Sequence, residues 1–122
     1  MRRRESLALL GTAALGNACG KPPDARVRVP LAELPRGGRT VVAYAGEPVE
    51  IVHGAEGITA RSLLCTHFGC RVAWDAARER YRCPCHDGWF DGSGRPLAGP
   101  PTRPLRAVRV VVEQETALVG EP

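Results

Sequence analysis

Cys65-Thr66-His67-Phe68-Gly69-Cys70 and Cys83-Pro84-Cys85-His86-Asp87-Gly88-Trp89-Phe90 are the two stretches on which the reading of this chain turns. Each pairs a cysteine with a histidine two or three residues away, and each carries a second cysteine. Two thiolates and two imidazoles suffice to hold a metal centre, because zinc and iron accept both donor types. Tight loops can aim both side chains of each pair at one point. Cys70 and Cys85 then remain. In an oxidising compartment a disulfide between them would clamp the two loops, although other partitions of the thiols stay open.

The order of the ligands bears on the metal. Two-cysteine, two-histidine zinc sites usually take both cysteines from one pair and both histidines from the other. Here each loop supplies one of each. That mixed order suits a binuclear iron-sulfur centre in which one iron takes two thiolates and the other two imidazoles. A zinc-stapled binding module is the competing, non-redox reading.

Outward from the clusters, 122 residues leave room for one domain. With 43% apolar residues the core is modest and would benefit from a metal or a disulfide. The net charge of +4 owes much to Arg2, Arg3 and Arg4; without Arg2–Glu5 the 17 basic and 13 acidic residues become 14 and 12. No basic stripe interleaved with aromatics is present, which argues against a nucleic-acid partner.

Residues 1–24 read as an export signal and tether, and residues 25–122 as the domain. Three arginines precede an apolar stretch from Leu7 to Leu15, and only 13 residues separate Leu7 from Cys19 inclusively, short of the ~20 needed to span a bilayer. Arg3-Arg4 with Leu7 resembles a twin-arginine signal, without the usual bulky apolar residue at Ser6. Leu15-Gly16-Asn17-Ala18-Cys19 resembles a degenerate lipoprotein box, making Cys19 a candidate lipidation site. Simple cleavage nearby and an uncleaved anchor are the alternatives.

Beyond the tether, apolar residues come in short bursts separated by glycine and proline, without a sustained helical period. Val27–Val29, Arg39–Tyr44, Pro48–His53 and Ile58–Leu64 read as strands. Arg71–Trp74 and Glu79–Arg82 read as a hairpin, Leu105–Glu113 as one strand presenting Val108, Val110 and Val112 to one side, and Thr116–Gly120 as its return. Eight or nine short strands imply an all-β antiparallel sandwich or barrel with both clusters on loops. Trp89 is read as a docking aromatic or a packed loop residue, Trp74 and Phe90 as packing, and His53 as structural or surface.

Cys-Thr-His-x-Gly-Cys followed by Cys-Pro-Cys-His resembles the Rieske-type [2Fe-2S] domain, in the disulfide-bearing form of quinol:cytochrome c reductases and the arsenite oxidase small subunit. The resemblance runs from about Val27 to Val119. It implies a [2Fe-2S] cofactor held by Cys65 and Cys83 on one iron and His67 and His86 on the other, with Cys70 and Cys85 disulfide-bonded. Gly99-Pro100-Pro101-Thr102-Arg103-Pro104-Leu105 resembles the family's proline-rich loop beside the cluster, which adds Pro100 and Pro101 to the site. High-potential members follow the second motif with Gly-Ser-x-Tyr, whose hydroxyls donate to cluster sulfurs. This chain has Asp87-Gly88-Trp89-Phe90 instead, so both donors are missing and the potential is expected below that of ubiquinol-oxidising relatives. Asp87 is expected either to take a left-handed backbone and add negative charge, or to cap its own loop as an Asx-turn.

The resemblance thus implies one-electron transfer on the outer side of the cytoplasmic membrane, by a small carrier or an electron-transfer subunit of a respiratory oxidoreductase. Partners would be a cytochrome c, a copper protein or a catalytic oxidoreductase subunit, with quinol as a further donor. A quinol:cytochrome c reductase subunit and an oxygenase-type ferredoxin are the alternatives.

Overall fold

The computed structural model describes residues 24–122, so Cys19 and the leader expected before residue 24 lie outside the described residues. The β-branched bursts form eleven strands there: β1 (Val27–Pro30), β2 (Arg39–Tyr44), β3 (Glu47–Gly54), β4 (Gly57–Ser62), β5 (Ala73–Asp75), β6 (Arg80–Cys83), β7 (Gly88–Phe90), β8 (Pro96–Ala98), β9 (Ala107–Val108), β10 (Val110–Glu113) and β11 (Thr116–Val119). One 3-10 turn, Leu31–Glu33, interrupts them. The strands pair antiparallel in three sheets, ordered β1-β11-β10, β2-β3-β4-β9 and β5-β6-β7-β8. No helix of the described residues is long and apolar enough to cross a membrane.

The first two sheets share a core that includes Val29, Val49, Ile51, Ala60, Val108 and Val119. The chain between β4 and β9 builds the third sheet around a second core of Leu63, Cys65, Val72, Tyr81, Cys83, Phe90 and Leu105. Both candidate cysteine ligands therefore belong to a hydrophobic core, while the loops that carry them reach its rim.

Two-residue loops set the register of the base. Ala45-Gly46 and Gln114-Glu115 have positive φ at both positions, the backbone that matches the twist of a tight hairpin. Three expectations need correction. The strand count is eleven, because β7 and β8 begin on Gly88 and Pro96, residue types that carry weak strand signals. Leu105–Glu113 is not one strand: β9 pairs with β4 and β10 with β11, so the chain changes sheets at Arg109. Consequently the three valines share no buried face, with Val108 buried and Val112 exposed. His53 is structural, its ring Nδ1 lying 2.9 Å from the Leu34 carbonyl.

Candidate metal centre

The first loop closes on itself. The Cys65 N–H donates to the Cys70 carbonyl at 2.6 Å and the Gly69 N–H to the Cys65 carbonyl at 2.8 Å, while Leu64 bridges to Arg71. The second loop is the four-residue turn of the β6–β7 hairpin, closed by the Cys83–Gly88 pair. Asp87 takes the left-handed backbone there, with φ 55°. Its carboxylate accepts from Arg82 Nε at 3.1 Å. That ion pair offsets the negative charge expected from Asp87, and it takes the place of the Asx-turn alternative.

Cys70 and Cys85 form a disulfide across the two loops, with Cα atoms 6.4 Å apart. Cys65 and Cys83 stay free and buried. Burial pushes the Cys65 thiol above its ordinary pKa, N–H groups of His67 and Phe68 pull it down, and the neighbouring Cys83 thiol raises it again. Two buried thiolates side by side would repel one another unless a cation lay between them. The sulfurs of Cys70, Cys83 and Cys85 lie within 4.8 Å of one another, but the disulfide leaves only Cys83 of that trio as a thiolate donor.

The histidines gather at the rim. The rings of His67 and His86 stand edge-to-face with centroids 4.8 Å apart. His67 Nδ1 is buried without a hydrogen-bond partner, the one such side-chain atom among the described residues. A buried lone pair left unmatched costs free energy, whereas a metal would satisfy it. Two buried free thiols and an orphaned imidazole nitrogen fit an iron-sulfur centre. Phe68, to which the sequence reading assigned no role, packs 4.0 Å from the His67 ring and 5.2 Å from His86, and is 71% exposed.

The proline loop is tied to both cluster loops. The Thr66 hydroxyl donates to the Arg103 carbonyl at 2.7 Å, and Arg103 Nη2 donates back to the Thr66 carbonyl at 3.0 Å. Pro101 is buried against Gly88, where a Cβ would stand 2.8 Å from its Cδ. Gly99, at φ 88°, approaches so closely that its own Cβ would lie 2.7 Å from Gly88 Cα. Position 88 therefore lacks space as well as a hydroxyl. Pro100 is exposed beside it, and Phe90 is fully buried in the second core. Trp89 is half-buried, its ring flanked by the guanidinium groups of Arg78, Arg80 and Arg82 at 5.9, 5.7 and 5.8 Å. The Arg-x-Arg-x-Arg alternation was the available sign of that surface.

Comparison with known proteins agrees with this geometry. A family model for the Rieske [2Fe-2S] domain matches residues 26–111. The cytochrome b6-f complex iron-sulfur subunit of Chlorobaculum tepidum is 30% identical over 106 residues, covering 81% of this chain and 59% of the relative. The chain thus spans little more than half the length of that relative. Among solved structures, the plasma-membrane Rieske protein of the cyanobacterium Synechocystis superposes with a TM-score of 0.67 at 33% identity, covering 78% of this chain and 99% of that one. The ferredoxin of a carbazole dioxygenase from Nocardioides aromaticivorans gives a TM-score of 0.59 at 33% identity, over 81% of this chain and 100% of that one. The chain belongs to the Rieske [2Fe-2S] family, and a [2Fe-2S] cluster is its cofactor.

Proposed function

We propose that this Rieske electron-transfer protein works on the outer side of the cytoplasmic membrane, as a small carrier or an electron-transfer subunit of a respiratory oxidoreductase. Cys65 and Cys83 hold one iron, and His67 and His86 hold the other. The observation that carries the reading is the arrangement of two buried free thiols and two facing imidazoles on loops clamped by the Cys70–Cys85 disulfide. Such a disulfide persists in oxidising compartments, which supports the outer side together with the signal-like residues 1–24.

When bound, the cluster takes up and returns one electron, in a family range of about −150 to +300 mV. The chain's own residues govern access and tuning. His86 is exposed and Phe68 beside it is exposed too, so a docked partner meets the imidazole side while the cysteines stay within the core. Gly88 and Phe90 offer no hydroxyl to the sulfurs, which puts the potential in the lower part of that range, suited to menaquinol or another low-potential donor. Its acceptor is a cytochrome c, a copper protein or a catalytic subunit. The cytochrome b6-f membership of a relative supports a place in a larger oxidoreductase. Residues 1–24 are assigned as leader and tether and residues 25–122 as the Rieske domain, with Cys19 as the candidate lipid attachment.

Redox titration of the purified full chain, with the electron paramagnetic resonance spectrum of the reduced form, tests the cofactor and its tuning. A silent, zinc-containing protein or a midpoint at the top of the family range contradicts the reading. Cell fractionation tests the location, and recovery solely from the cytosol would overturn it. A second reading, an oxygenase ferredoxin, draws on the likeness to the carbazole dioxygenase ferredoxin over that chain's whole length. Fractionation separates the two, because that role places the protein with a cytosolic oxygenase.

A further inference from the structure

Glu50 lies between Val49 and Ile51 on β3, both fully buried in the sandwich core. Alternation along a strand sends its carboxylate to the opposite face. That face is nevertheless covered, and Glu50 is only 5% exposed. It meets Tyr81 of β6, which is 0% exposed. The Tyr81 hydroxyl donates to Glu50 Oε1 at 2.5 Å and accepts from Arg39 Nη1 at 3.2 Å and from Arg61 Nη1 at 3.0 Å. Arg39 also donates to Glu50 Oε1 at 2.9 Å and stacks 3.5 Å above the Trp74 ring. One hydroxyl, with its single proton and both lone pairs engaged, thus fastens β2, β3 and β4 of the sandwich to β6 of the metal-binding sheet.

Adhesion alone does not require charge here. An apolar group of matching shape at such a junction is often as stabilising as a buried ion pair, or more so. What the charged version adds is a field. Two guanidiniums and one carboxylate leave one net positive charge, at a junction where Glu50 is buried and the arginines are partly exposed, so charge is screened less than in bulk water. The network is anchored on the strand that carries Cys83, because Tyr81 and Cys83 are two residues apart on β6 and both enter the second core. A positive charge there favours the additional electron of a reduced centre and opposes the loss of the hydroxyl donors at positions 88 and 90.

We infer that Glu50, Arg39 and Arg61, keyed to the Tyr81 hydroxyl, are positioning residues that hold the Cys83 strand, and that the net positive charge of the network, in which the arginines outweigh Glu50, biases the centre toward reduction. The inference rests on the reading of Cys83 as an iron ligand. Opposite charge changes within one network must move the potential in opposite directions. A merely structural network would not do this.

The test uses the full-length holoprotein, with midpoint potentials measured for wild type, Glu50→Gln, Arg39→Gln and the double variant, and cluster content taken from visible and paramagnetic resonance spectra. Glu50→Gln is expected to raise the midpoint, Arg39→Gln to lower it, and the double variant to return toward wild type. Arg61→Gln, which removes the other guanidinium, replaces Arg39→Gln if that variant fails to fold. Intact clusters with unshifted midpoints, or shifts of the same sign in both single variants, overturn this inference and leave the functional reading standing. A wild-type protein without an iron-sulfur signal sinks the functional reading first, and this inference with it.

Discussion

Gly88→Ser is expected to strain the protein instead of simply supplying the missing donor. A Cβ at position 88 would lie 2.8 Å from Cδ and 2.9 Å from Cγ of Pro101. Non-bonded carbons settle about 3.5–4.0 Å apart, so the two groups must separate by roughly 0.6–1.2 Å. A buried proline ring cannot swing aside, and its loop is held by Gly99 against Gly88 and by Arg103 against Thr66. Overpacking of this kind costs about 1–3 kcal/mol. In a domain of this size each kcal/mol moves Tm by about 4–8 °C, so a loss of at least about 4 °C is expected. Thermal unfolding of the holoprotein, followed by circular dichroism and by visible absorbance, measures it. Gly88→Ala carries the same strain without the hydroxyl and should lose a similar amount. Pro101→Ala opens the space, so Gly88→Ser/Pro101→Ala should be more stable than the two single losses add up to, by about 0.5–3 kcal/mol. Additive single effects, or a Gly88→Ser protein that melts with wild type, would refute the contact. The donor argument is tested in the same set: adding the Gly88→Ser change to Pro101→Ala should raise the midpoint potential, whereas adding Gly88→Ala should not.

Replacing Cys70 and Cys85 by alanine removes a link between residues 15 apart, and on loop-closure grounds should cost about 3 kcal/mol, read from the denaturant midpoint of the holoprotein. Glu47 accepts from the Ser62 hydroxyl at 2.8 Å and from Arg106 Nη2 at 2.6 Å, and these bonds hold its carboxyl below the usual 4.5. A folded pKa below the unfolded one gives stabilisation that is complete above the unfolded value and lost as pH falls through the folded value. Glu47→Gln should therefore flatten the fall in stability on acidification below about pH 4.5, measured as urea midpoints against pH; an unaltered acid limb would count against the pairing. Thr66→Val removes the donor to the Arg103 carbonyl and should cost about 1 kcal/mol, with faster proteolysis of the 99–105 loop as a second readout.

The parts of the site that were legible are those local in the chain. Cys65-x-His67 and Cys83-x-x-His86 each lie within one turn, so their spacing alone indicates which side chains can converge. Strands β2, β3 and β4 were legible for a similar reason, since β-branched runs ended by two-residue turns leave little freedom of register. Reading faltered where a residue's environment depends on something distant. The valines after Leu105 look alike on both sides of Arg109, and only pairing with β4 on one side and β11 on the other divides them. No local pattern marks the contact of Pro101 with Gly88, made by two loops that meet in space.

Glu50 shows this limit most fully. In Val49-Glu50-Ile51 the alternation assigns the glutamate to solvent, because a strand in a two-sheet sandwich has one buried face. The inserted metal-binding sheet covers the other face and changes what that position demands. A carboxylate with water beside it becomes a carboxylate that needs Tyr81 and Arg39, and those residues lie 31 and 11 positions away in the chain. Local motifs suffice to propose the ligand types, but the charges gathered at the Tyr81 hydroxyl become visible only when the two layers are stacked. The proposed tuning of the centre therefore rests on the packing of the two layers, while its candidate donors are read from the motifs.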